Sequence, residues 1–180
     1  MPSVFTHAAV PLALWCASGR GHVSARLLGA GVVAAMLPDA DVLAFALRIP
    51  YADAFGHRGA SHSLLFAALL AVLALLLHRP LHAGRRQAPA FVFACALSHP
   101  LLDALTSGGL GVALWWPWSD ARLFAPWRPI RVSPFANAFF SARGLQTVLS
   151  ELRWVWLPLL LAVLGWKLIQ QRPPTDSHSP

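Results

Sequence analysis

Three short segments hold most of the residues able to do chemistry. LPDADV places Asp39 and Asp41 two residues apart after a proline, HRGASHS carries His57, Arg58, Ser61, His62 and Ser63, and SHPLLDALTSGG places His99 and Asp103 four residues apart. Mixed imidazole and carboxylate donors suit a divalent cation, zinc or manganese above others by ligand type. Residues four apart share a helix face, so His99 and Asp103 can grip one metal, or the carboxylate can orient the imidazole. Asp39 and Asp41 can ligate one cation or bridge two, and they equally fit a helix C-terminal turn of solvated acids. A helix starting at HRGASHS would present His62 and backbone N–H groups at its positive end to an anionic substrate oxygen. The same segment also fits a plain cap, with Ser61 or Ser63 on the helix and Arg58 on a lipid phosphate.

These residues need elements to position them, and the composition says which. Of 180 residues, 57% are hydrophobic and 12% are charged, and the apolar residues come in blocks, not in alternation. That pattern predicts an all-α, polytopic membrane helical bundle. The candidate spans are Phe5–Ala17, Leu27–Leu37, Ser63–Leu77, Pro89–Leu105 and Trp154–Ile169. Each is shorter than the roughly 20 residues that cross a bilayer comfortably, which calls for tilt, local thinning or helices extending past these apolar limits. The first two also fit a short re-entrant hairpin, so four to five spans is the expectation. Residues 1–169 read as a single helical membrane domain, and residues 170–180, QQRPPTDSHSP, as a disordered polar tail. Trp115, Trp116, Trp118 and Trp127, set among prolines in the long segment before the last span, read as anchors at the membrane interface.

If the N-terminus is outside and five spans alternate, Arg20, Arg26, Arg79, Arg85, Arg86, Lys167 and Arg172 fall on the cytoplasmic side. In that topology His7 starts the first span, Asp39 and Asp41 follow the second, and His57 and His62 precede the third. His99 and Asp103 end the fourth, and Glu151, the only Glu, precedes the fifth. All meet at one membrane face. His7 alone would pass for an interfacial histidine and Glu151 for a helix cap. Ionisable groups at a membrane edge are costly unless paired, hydrated or metal-bound, so their convergence points to a site. His22, His78, His82 and His178 fall on the opposite side or in the tail and read as solvated.

Other features narrow the class. The formal charge is +7, but the fourteen Lys and Arg form no basic stripe interleaved with aromatics, which excludes a nucleic-acid surface and favours anionic lipid or a phosphorylated substrate. Cys16 and Cys95 sit in apolar stretches without CxxC spacing and read as buried, inert thiols. The N-terminus lacks a basic n-region, and His7 and Pro11 break its apolar run, so it reads as part of the mature chain.

With THAAV, LPDADV, HRGASHS and SHPLLDALTSGG in that order, the chain resembles the YdjM-like family of bacterial inner-membrane proteins, described as metal-dependent hydrolases. The resemblance runs from Thr6 to the region of Glu151. HRG-x-SHS and H-x-x-x-D-x-x-TS-x-G are specific together, whereas a single histidine or carboxylate is not. His7, Asp39, His57, His62, His99 and Asp103 match the family's polar positions, with Asp41, Arg58 and Glu151 as supporting members. The resemblance implies a multi-pass inner-membrane protein.

The combined expectation is a membrane-embedded, metal-dependent hydrolase of an ester or phosphoester, with a phospholipid-like substrate reaching the site from the bilayer. His7, Asp39, Asp41, His62, His99 and Asp103 are the expected donors to one or two divalent ions. His57 or Glu151 would act as general base or orient a ligand, and Arg58 would stabilise developing negative charge. The alternatives are a metal-binding membrane protein with a sensing or transport role, and a structural protein whose polar edge binds lipid head groups.

Overall fold

The structure is a computed structural model that describes residues 1–134 and 136–171. Five helices carry the fold: α1 (Val4–Ser18), α2 (Ala25–Ala46), α3 (Leu64–Leu76), α4 (Gln87–Ala104) and α5 (Ala142–Gln170). Among the described residues there is no β-strand, only two isolated bridges, Thr106 with Ile130 and Val112 with Leu123. The chain is all-α, and each expected apolar block lies on its own helix. By length and apolarity, α2 (22 residues) and α5 (29 residues) can cross a membrane, while α1 and α3 are shorter apolar helices. Helix length therefore supports two crossings, not the four to five expected from the apolar blocks.

Helix ends follow local chemistry. Ser24 and Ser63 each accept a hydrogen bond from the N–H three residues on, at 3.0 Å from Leu27 and 3.1 Å from Phe66, and so start α2 and α3. Ser63 is therefore the cap of α3 and Ser61 is not. Helix α2 does not stop at its apolar limit but continues as a 3-10 stretch, Leu37–Val42, which has Pro38 in its first turn and contains both aspartates. The acids lie within the helical run, not after it, and the solvated C-terminal turn is excluded because Asp39 is buried. Helix α5 starts twelve residues before its expected limit, at Ala142, and passes through a π-helical turn, Leu152–Trp156. Pro158 explains the turn, since it has no N–H to return to the carbonyl four residues earlier. Gln170 closes α5, and residues 172–180, on which most of the expected tail falls, lie outside the described residues.

Small residues let the helices approach. A Cβ on Gly31 would stand 2.5 Å from Phe91 and 2.9 Å from the Cys95 sulfur, so α2 packs on α4 only because this position is glycine. Around that contact Leu27, Ala34, Ala35, Ala67, Ala74, Val92 and Ala96 form the main apolar core of α2, α3 and α4. A smaller cluster, Ala9, Ile130 and Val155, joins α1 to α5. Outside, α3 exposes Leu69, Val72, Leu73 and Leu76, and α5 exposes Leu157, Leu160, Leu161, Leu164, Leu168 and Ile169. Cys16 is exposed among such residues on α1, contrary to expectation, and only Cys95 is buried. Meanwhile Arg58, His7, His57, His62, His99 and Glu151 are among the largest fully buried side chains. Apolar outside and ionisable inside is the distribution a lipid solvent favours, not water.

Candidate metal centre

Four elements deliver the buried polar residues to one end of the bundle. His7 ends the first turns of α1, Asp39 comes from the 3-10 stretch of α2, and His62 from a 3-10 turn, Ala60–His62, just ahead of α3. His99 and Asp103 come from the last turns of α4, where Pro100 sits inside the helix. One donor atom each from Asp39, His62, His99 and Asp103 lies within 4.8 Å of all the others, and all four residues are buried. Nε2 of His62 and Nε2 of His99 are 3.0 Å apart, His99 Nε2 is 3.4 Å from Asp39 Oδ1, and His62 Nε2 is 3.3 Å from Asp103 Oδ2. Donors around a four-coordinate ion with bonds of 2.0–2.1 Å stand about 3.3 Å apart, so the spacing fits.

The far side of each imidazole is fixed by the protein. His99 Nδ1 lies 2.7 Å from the carbonyl of Ala35, an acceptor only, so Nδ1 carries the proton and Nε2 the lone pair. His62 Nδ1 is 3.1 Å from Asp41 Oδ2 and 3.0 Å from Ser61 Oγ. Two Nε2 lone pairs 3.0 Å apart repel unless a proton or a metal ion lies between them. Both oxygens of Asp39, Oδ1 of Asp103 and both nitrogens of His7 are buried without a hydrogen-bond partner among the described residues, while Asp103 Oδ2 has Arg58 Nε at 3.0 Å. Such orphaned acceptors are costly, and a cation is what that donor set accommodates. The cluster holds three carboxylates, Asp39, Asp41 and Asp103, against one buried guanidinium, Arg58, which pairs with Asp103, and this leaves two negative charges for a divalent ion to balance. The Met1 amino group, 3.9 Å from Asp103 Oδ1, is pushed down to about 6 by burial and adds little charge at neutral pH. For the His62 imidazole, burial alone lowers the pKa, but hydrogen bonds to Asp103 and Asp41 outweigh it and push it up to about 9.

The remaining expected residues surround this group. Asp41 is held away from the four-donor group: one oxygen meets His57 Nδ1 at 2.5 Å, and the other accepts from Ser61 Oγ at 2.7 Å and the Arg58 N–H at 2.9 Å, beside His62. Its geometry orients two histidines and leaves a direct donor role without a free oxygen. Arg58 is not on lipid phosphate and is poorly placed for substrate. Its Nε is 3.0 Å from Asp103 Oδ2, Nη1 donates to the carbonyls of Gly108 and Leu110, and Nη2 donates to Thr106 Oγ1 at 3.0 Å. Its backbone φ of 62° is a left-handed conformation, held by the Asp41 bond to its N–H and the Ala113 bond to its carbonyl. Gly59, next to it, has no room for a side chain, since a Cβ would stand 2.1 Å from the Ala54 carbonyl.

His57 lies behind Asp41, 5.9 Å ring to ring from His62, and packs on Phe45 and Tyr51. Arg122 ties that loop down, donating to the carbonyls of His57 and Asp53; burial pushes its guanidinium pKa below the usual value. Glu151 is in the interior of α5, not ahead of it, and its carboxylate is spent on α1: it accepts from the Ser3 N–H at 2.5 Å, Ser3 Oγ at 2.6 Å and Thr6 Oγ1 at 2.8 Å. It therefore fastens the helix that carries His7 instead of facing the donors as a base. Thr106 and the Ala35 carbonyl are in direct contact with site residues and were not among the expected ones: Thr106 lies in the H-x-x-x-D-x-x-TS-x-G pattern but carries no ligand chemistry, and a backbone oxygen leaves no mark in a sequence. On the far side of the bundle His22 and His82 are exposed and His78 is half-buried; His178 lies outside the described residues.

The family model for the YdjM inner membrane protein matches residues 1–173. The chain belongs to the YdjM inner membrane protein family. A relative in this family of membrane proteins, the inner membrane protein YbcI of Escherichia coli (strain K12), is 48% identical over 171 residues, which cover 93% of this chain and 99% of that protein. No solved structure matches. For this YdjM-family chain, the matched region includes every residue of the buried cluster.

Proposed function

We propose that the chain is a membrane-embedded, metal-dependent hydrolase of an ester or phosphoester, with zinc or manganese held by Asp39, His62, His99 and Asp103. The observation that carries the metal is the opposed pair of Nε2 atoms 3.0 Å apart, bracketed by Asp39 Oδ1 at 3.4 Å from His99 and Asp103 Oδ2 at 3.3 Å from His62. A divalent ion supplies Lewis acidity and lowers the pKa of a water near neutrality. Asp41 and the Ala35 carbonyl hold the two imidazoles in the tautomer that points Nε2 inward, and Arg58 holds Asp103.

The membrane setting supports an amphiphilic substrate. An apolar cleft of about 290 Å³, lined by Met1, Val4, Phe5, Phe139 and Phe140 among others, opens one helical turn before His7. Five crossings, with the N-terminus outside, are our topology: α1 to α5 are all apolar, and the exposed leucines of α3 and α5 face lipid. A helix of 13 residues such as α3 reaches only about 20 Å, so the bilayer thins there or the loop ends sit within it.

A second reading, metal binding for sensing or transport without hydrolysis, is favoured by the complete burial of His62, His99 and Asp103. Protein purified in chelator-free buffer is expected to retain metal, lost in His99→Ala and Asp103→Ala, and to hydrolyse a lipid in a panel of phosphoester and carboxyester lipids in detergent. Metal retention with no turnover across the panel, together with metal flux into liposomes, would overturn the hydrolase reading in favour of the second.

A further inference from the structure

The four-donor group uses only one oxygen of each carboxylate. Asp39 turns Oδ1 to His99 and Asp103 turns Oδ2 to His62. The other two oxygens face a different residue: Asp39 Oδ2 and Asp103 Oδ1 each lie 3.8 Å from Nε2 of His7. At that separation they make no hydrogen bond, and both His7 nitrogens are buried without a partner among the described residues. His7 is fully buried and stacks on His99 with ring centroids 3.7 Å apart and planes 17° from parallel. The stack brings a third imidazole alongside the cluster, with its Nε2 3.8 Å from each of the two outer carboxylate oxygens. Separations of 3.8 Å are within the reach of donors sharing an ion with bonds of about 2.0–2.2 Å.

We infer that the centre is dinuclear, with His7 Nε2, Asp39 Oδ2 and Asp103 Oδ1 holding a second divalent cation and Asp39 and Asp103 bridging the two positions. This rests on the metal-binding part of the function proposed above. The alternative, an idle histidine, leaves Nε2 of His7 and two carboxylate oxygens buried without hydrogen-bond partners among the described residues, each at a cost of about 1–3 kcal/mol. Carboxylate-bridged ions stand about 3.5–4 Å apart, the arrangement that clamps both the attacking and the leaving oxygen of a phosphoester. Two divalent ions exceed the two net negative charges of the site, so the His7 position binds the weaker of the two and favours an anionic substrate group.

The test is metal stoichiometry and spectroscopy on the full-length protein in detergent. Equilibrated with manganese and freed of excess, the wild type is expected to hold two ions per chain and to give the exchange-coupled resonance of a manganese pair. His7→Ala and the milder His7→Gln are expected to hold one ion and give the six-line spectrum of isolated manganese, with their thermal transition retained. One ion per chain and an isolated spectrum in the wild type would overturn the second position and leave the first standing. No bound metal in the wild type, with zinc or manganese, would overturn both. If neither His7 variant folds, the wild-type stoichiometry and spectrum decide the question.

Discussion

His62 and His99 bring their Nε2 atoms to 3.0 Å while protein oxygens hold the opposite nitrogen of each ring, Asp41 for His62 and Ala35 for His99. Without metal, a proton shared across that gap relieves the repulsion, and hydrogen bonds to Asp103 and Asp41, which outweigh burial, push the His62 imidazole up to about 9. Proton and metal therefore compete for one space.

The first prediction follows from this competition. Because the folded pKa of His62 is raised above the ordinary value of 6.5, its proton stabilises the metal-free protein fully below about 6.5, and the contribution is lost as pH rises through about 9. Metal must displace that proton, so apparent affinity is expected to rise about tenfold per pH unit between pH 7 and 9. Competition with a chromogenic chelator at fixed free zinc measures it, and a flat profile would contradict the assignment.

Asp41→Asn keeps the four-donor group but removes the charge that orients His57 and His62. Loss of such an outer partner typically costs 10–100-fold in metal affinity. The variant should still bind metal, with affinity reduced in that range; complete loss of binding would make Asp41 a direct donor, and unchanged affinity would make it irrelevant.

Arg58→Met leaves Asp103 without its fully buried ion-pair partner and frees Thr106, Gly108 and Leu110. Breaking a buried pair from one side costs about 3–5 kcal/mol. The metal-free variant should melt well below the wild type and be cleaved within residues 105–114 under limited proteolysis. Added metal should recover part of the loss, since it neutralises Asp103. A wild-type melting curve would show that the guanidinium is not the clamp described.

Glu151→Gln removes the charge that collects three hydrogen bonds from Ser3 and Thr6. Charge-assisted bonds of this kind contribute about 1.5–3 kcal/mol each at most, so a drop of a few kcal/mol in stability is expected, with manganese stoichiometry unchanged. Loss of metal at retained stability would place Glu151 at the centre instead.

The order of apolar blocks and their polar ends were enough to predict five helical elements and to put His7, Asp39, His57, His62, His99 and Asp103 at one end. That much is one-dimensional, since lipid rewards long apolar helices and penalises isolated charge, and both leave marks in the linear pattern. The fourfold spacing of His99 and Asp103 likewise implies a shared face from helix geometry alone. The roles inside the cluster depended on direction, which spacing does not encode. Asp39 and Asp41 are two residues apart, yet the tighter 3-10 turn sends one to His99 and the other to His57 and His62. Glu151 reads as a site carboxylate until the π-helical α5 packs on α1 and Ser3 and Thr6 take its oxygens. Arg58 reads as free for an anion until the chain beyond α4 folds back and surrounds it with carbonyls. Each of these outcomes was decided by contacts between residues 16 or more apart, where a buried charge takes whichever partner the tertiary fold brings within hydrogen-bonding distance.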